Sequence, residues 1–166
     1  MSALARHIGA GLVAVALLLG GLAQADNPPV STDEAGRAIR GYDAVAYFAN
    51  GQPQPGSEAF SHDWQGAVWL FASAAHRDAF KAEPARYAPQ FGGYCAYAIS
   101  KGHAVEARPE VWSIVDDRLY LNLGPGAQQK WQADVPGNIA RAVNNWPGAL
   151  ADPGRRKAVP EESGDR

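Results

Sequence analysis

The stretch EAFSHDWQGAVWLFASAAHRDAFKAEPARY, residues 58–87, decides the fold. In its first part Phe60, His62 and Trp64 alternate with Ser61 and Asp63, the period of two that marks a half-buried strand. Gln65-Gly66 supplies a turn, and Ala67 to Phe71 (AVWLF) is β-prone throughout, so 58–71 reads as a hairpin. Then the period changes. Ser73 has the short polar side chain of a helix N-cap, and Ala75, Ala79 and Phe80 follow at helical spacing with Arg77 and Asp78 outward. This predicts a helix of about ten residues ended by Pro84.

Downstream, Tyr87 to Gly93 is a turn-rich connector whose double glycine leads into YCAYAIS, 94–100. There Tyr94 with Ala98 and Cys95 with Ile99 repeat at i, i+4, which predicts a short buried helix stopped by Lys101-Gly102. The segment from His103 to Pro109 reads as a loop. VWSIV (111–115), Asp116-Asp117 and LYLNL (119–123) form a second hairpin. A helix over 127–133 carries Trp131, Pro136-Gly137 breaks it, and a last helix over 138–146 with Ile139, Val143 and Trp146 is closed by Pro147. Upstream, Tyr42 to Phe48 reads as a brief helix or turn with Val45, Tyr47 and Phe48 inward. The expected fold is α+β, a small antiparallel sheet from two hairpins with helices packed on one side, in one domain spanning 41–147.

The ends read differently. Residues 1–25 have the pattern of a cleavable secretory signal. Arg6 and His7 precede an uncharged run from Ile8 to Leu22, shorter than the roughly 20 apolar residues a bilayer span needs, and Ala23-Gln24-Ala25 offers small residues for cleavage before Asp26. The expected location is the periplasm, with no membrane anchor after cleavage. Residues 26–40, with Pro28-Pro29, are expected to be a mobile lead-in, and 148–166 a disordered tail. A net charge of −2, with the clustered cations Arg155, Arg156 and Lys157 in a tail that is also acidic, excludes a nucleic-acid binder.

Candidate chemistry rests on few residues. The single cysteine, Cys95, stands in an oxidising compartment where it can form no intramolecular disulfide. It is a buried apolar side chain, a free thiol, a metal ligand or half of an intermolecular bridge. His62 lies mid-strand on the face of Phe60 and Trp64, either hydrogen-bonded in the core or at a pocket rim. His76 sits one turn into its helix, on a solvated face or as a functional group, and His103 lies in a loop that either connects or binds. No C-x-x-C, H-E-x-x-H or EF-hand spacing occurs, so a metal site must be assembled by the tertiary fold. No nucleophile elbow is present, and the chain is expected not to be an enzyme.

The block from Phe60 to Tyr87, with Phe71, Ser73, Phe80, Pro84 and Tyr87 at their spacings, resembles the YHS domain. GYDAVAYF (41–48), APQFGGYCAYAIS (88–100), LYLN (119–122) and NWP (145–147) extend the similarity to exported bacterial YHS proteins. Metal-binding, TRASH-like relatives carry D-P-V-C-G-M and F-C-S-x-x-C segments. Here Ala46 and Ala72 stand where cysteines would be, and His76 takes the place of the last. The resemblance implies binding of a transition metal, copper or zinc, for trafficking or tolerance, and carries over only His76 as a ligand; a substitute site would add Cys95 and His62 or His103 to it. Two alternatives stand beside it: a metal-free interaction module for a periplasmic protein partner, and a redox protein dependent on Cys95.

Overall fold

The computed structural model describes residues 27–151. The signal-like residues 1–25 and the tail beyond Ala151 lie outside them. The fold is α+β. Strands β1 (Ser57–Trp64) and β2 (Ala67–Phe71) form one antiparallel hairpin, and β3 (Arg108–Val115) and β4 (Arg118–Asn122) the other. Both turn on two residues with positive φ, Gln65-Gly66 and Asp116-Asp117, whose twist matches that of the flanking strands. Both also carry a register shift in the first strand, between Ser57 and Ser61 and between Arg108 and Trp112. The hairpins remain two separate two-stranded sheets, where a single small sheet was expected. Helices and loops bridge them: β2 meets the upstream segment at Arg37 and Val68, and β4 meets Cys95 at Leu121.

Among the described residues the α-helices are α1 (Ala46–Ala49), α2 (Ala74–Ala82), α3 (Pro84–Tyr87), α4 (Ala96–Ile99), α5 (Pro125–Gln132) and α6 (Val135–Asn145). Ser73 caps α2, its side chain accepting the His76 N–H. Pro84 ends α2 and opens α3 at the same time, because proline lacks only an N–H that the first helical turn leaves unpaired anyway. The same logic corrects the expected break at Pro136-Gly137. These residues lie in the first turn of α6, where the Asp134 side chain accepts the Gly137 N–H. The buried face of α6 is Asn138 and Ala142, while Val143 is exposed.

Two adjoining apolar clusters form the core. In the first, Phe80 of α2 lies against Trp69, Phe71 and Trp64, with ring centroids 4.8, 5.1 and 5.6 Å away. In the second, Tyr120 of β4 packs on Trp131 of α5 at 5.2 Å, beside Ile99 and Ala142. The lead-in expectation for residues 26–40 fails over its described part. Val30, Ala38 and Ile39 belong to the core, the Ser31 N–H donates to the Gly92 carbonyl, and Ala38 N–H to that of Val68. At the other end Ala149 is buried and the Asn27 N–H donates to the Leu150 carbonyl, so the domain extends to both limits of the described residues. Polarity concealed this: one apolar residue every few positions suffices for a segment laid across a finished core.

Candidate functional site

Ile39 and Arg40 with positive φ, followed by Gly41 at φ +79°, turn the chain sharply before Asp43. The Asp43 carboxylate then folds back on its own backbone, Oδ1 accepting the N–H groups of Val45 and Ala46 at 2.8 and 3.2 Å, and so starts α1. Its other oxygen reaches 29 positions along the chain to accept the Ala72 N–H at 2.9 Å. Oδ2 also meets Nδ1 of His76 at 2.6 Å. Asp43 is fully buried, and all four of its lone-pair positions are taken. Because this carboxylate already accepts three backbone N–H groups it acts as an acceptor toward His76. The Nδ1 atom therefore carries the proton, and in the neutral ring Nε2 keeps its lone pair. The His76 side chain is 20% exposed.

Ala46, Ala72 and His76, the three positions at which metal-binding relatives are expected to hold ligands, thus gather round one carboxylate. Two of them supply only backbone N–H groups. The remaining candidates lie elsewhere. His62 of β1 presents its ring edge-on to Phe80 at 6.3 Å and is half-buried. His103 follows α4, its N–H donating to the Ala98 carbonyl. Cys95 caps α4, 1% exposed, within the first core cluster. Among the described residues no three of His, Cys, Asp and Glu come together as a group able to hold a metal ion. For copper or zinc the four expected ligands do not come together in one centre; of the three histidines among them, His76 is the one whose ring is shown held by a carboxylate, which leaves Nε2 as its ligand atom.

Two functional-looking side chains escaped sequence reasoning. Asp43 was visible only as part of a turn. An Asp three positions before a helix is a capping signal, but nothing local announces its partner 33 positions away. Asn122, the last residue of β4, is fully buried and its Oδ1 faces the Cys95 sulfur at 3.7 Å while accepting the Tyr97 N–H at 3.2 Å. A polar residue closing an apolar strand was the available clue.

Burial pushes the Cys95 thiol above its ordinary value of 9.0; the N–H groups of Ala98, Leu123 and Tyr97 pull the other way without offsetting it. The folded chain therefore holds this proton more tightly than the unfolded chain. The stability contributed is complete below 9.0 and is lost as the pH rises beyond it. The phenols of Tyr47 and Tyr120, also raised by burial, act in the same direction above 10.0. Unfolding free energy followed by urea titration should hold up to about pH 9 and fall beyond it, less steeply in Cys95→Ala. Equal slopes in both proteins would contradict the burial of the thiol.

Compared with known proteins, the chain matches no family model, no curated protein and no solved structure.

Proposed function

We propose that this is an exported, non-enzymatic binding module of the YHS type that engages copper or zinc through Nε2 of His76, the other ligands coming from a partner molecule. The carrying observation is the Asp43–His76 contact. A buried carboxylate on Nδ1 fixes the ring, selects the tautomer and leaves Nε2 as the basic nitrogen on a partly exposed side chain. A single imidazole suits transient handling, in which the metal is passed on, better than storage in a closed tetrahedral centre. Titration of metal-free protein with Cu(II) and Zn(II) tests this. Binding is expected to be lost in His76→Ala and kept in Cys95→Ser, whose sulfur lies in the core. Unchanged affinity in His76→Ala would sink the reading.

A second reading, an interaction module without metal, is favoured by one feature. An apolar groove of about 240 Å³ is lined by Trp64, Trp69, Pro89, Trp146 and Pro147, among others. A protein partner held by metal-free chain, equally by His76→Ala, and released by Trp64→Ala would favour this reading over the first.

A further inference from the structure

The two edges of the first hairpin differ. The two-residue turn at Gln65-Gly66 makes Trp64 and Ala67 a hydrogen-bonded pair, so Asp63 with Val68, and Ser61 with Leu70, are the pairs whose N–H and C=O groups point away from each other. Val68 shows this directly. Its N–H donates to the Gly36 carbonyl and its carbonyl accepts the Ala38 N–H, so the upstream segment covers the outer edge of β2. The outer edge of β1 has no such cover. Among the described residues no backbone hydrogen bond joins the main chain of Ser61 or Asp63 to a third segment, and both residues are exposed. Nor does β1 carry lysine or proline, the residues that commonly block an open edge. On its other face Phe60 and Trp64 pack against the core and stay half-buried, with His62 between them. The register shift between Ser57 and Ser61 ends the regular ladder, which leaves Ser61 to Trp64 as the part of the edge fit for pairing. A two-stranded sheet is marginal by itself, and a strand added to an open edge supplies main-chain bonds without rearrangement.

We propose that a second copy of this chain docks on β1, the two strands pairing antiparallel about a two-fold axis through His62 so that the two hairpins become one continuous sheet. Register selects this arrangement. Outward-pointing residues must face each other, which lets Ser61 stand opposite Ser61, Asp63 opposite Asp63, or Ser61 opposite Asp63 of the second copy. Asp63 against Asp63 sets like charges side by side, which is unfavourable. Ser61 against Ser61 carries Asp63 onto Ala59, inside the irregular stretch where no ladder continues. Ser61 against Asp63 is the register in which the outward N–H and C=O groups of both residues are used on each chain, and there the Ser61 hydroxyl donates to the carboxylate beside it. That register also brings Phe60 next to Trp64 of the second copy, an aromatic cross-strand pair made once on either side of the axis. The strand thus complements itself in side chains as well as in backbone, which favours a second copy over any other extended segment. The proposal does not depend on the metal reading of His76.

Sedimentation equilibrium of the purified chain tests this. A reversible monomer–dimer equilibrium is expected between about 5 and 500 µM, the range in which small interfaces are populated. Asp63→Pro deletes an outward N–H and no bond to β2, and should weaken dimerisation by about tenfold or more. His62→Cys sets two thiols opposite each other at a non-hydrogen-bonded pair, where cross-strand side chains approach most closely, and mild oxidation with diamide should lock the dimer covalently. Glu58→Cys lies away from the axis and should stay unlinked, as should the parent, whose Cys95 is buried. A chain that is monomeric throughout, a dimer that Asp63→Pro leaves unchanged, or cross-linking through Glu58→Cys in preference to His62→Cys overturns the proposal. A dimer that survives Asp63→Pro and is lost in Trp146→Ala would place the contact in the apolar groove instead. The mass of the parent and the His62→Cys cross-link decide the matter if Asp63→Pro does not fold.

Discussion

Asp43→Ala should lower the unfolding free energy by roughly 3–5 kcal/mol, the range for breaking a buried charge network by removing one partner. The carboxylate is the only side-chain acceptor shown for the Val45, Ala46 and Ala72 N–H groups, and it joins the start of α1 to the start of α2 through His76. Removing it leaves polar groups stranded on two elements at once. His76→Ala should cost much less. Its ring is partly exposed, and Asp43 keeps all three backbone donors when it goes. Urea unfolding followed by tryptophan fluorescence would measure both, and equal losses would mean that the Asp43–His76 contact, not the backbone donors, holds the two segments together. The contrast matters for function, since it makes His76 a position that can be removed in metal titrations without unfolding the domain.

Gly92→Ala is expected to destabilise by roughly 3–4 kcal/mol, the sum of left-handed backbone strain and forced overpacking. Gly92 has φ +62°, and a Cβ there would lie 1.9 Å from the Pro29 carbonyl oxygen, which is backbone and cannot swing aside. Its carbonyl also accepts the Ser31 N–H at 2.8 Å, so the substitution would push the upstream segment off the core. Gly66→Ala is the control: φ is +76° in the hairpin turn, with nothing within 4 Å of the added Cβ, and only the conformational strain of about 1 kcal/mol applies. Similar losses at the two positions would show that residues 27–32 contribute little to the closed structure.

The hairpins and helix α2 were legible because their signals are local. Alternation of Phe60, His62 and Trp64, the two-residue turns at Gln65-Gly66 and Asp116-Asp117, and the Ser73 cap each depend on neighbours within a few positions. The short helix at Cys95 was legible for the same reason, starting two residues later than its pattern suggests because Tyr94 and Cys95 are drawn into bridges with Glu106 and Leu121. Proline was misread at α6, where composition resembled a break and geometry made it a start.

By itself the sequence determined which segments pair or coil, which few residues were candidates for chemistry, and that no local spacing could hold a metal ion. Only the tertiary structure decided what those residues face. Hydrophobic period reports which side of an element is apolar and is blind to which distant polar groups that side will meet. Thus His76 is set on Asp43 across 33 positions, and Cys95 is set on Asn122 across 27. The polar segment before Gly41 joined the core for the same reason, its few apolar residues gaining meaning only once Gly92 and β2 stood ready to receive them.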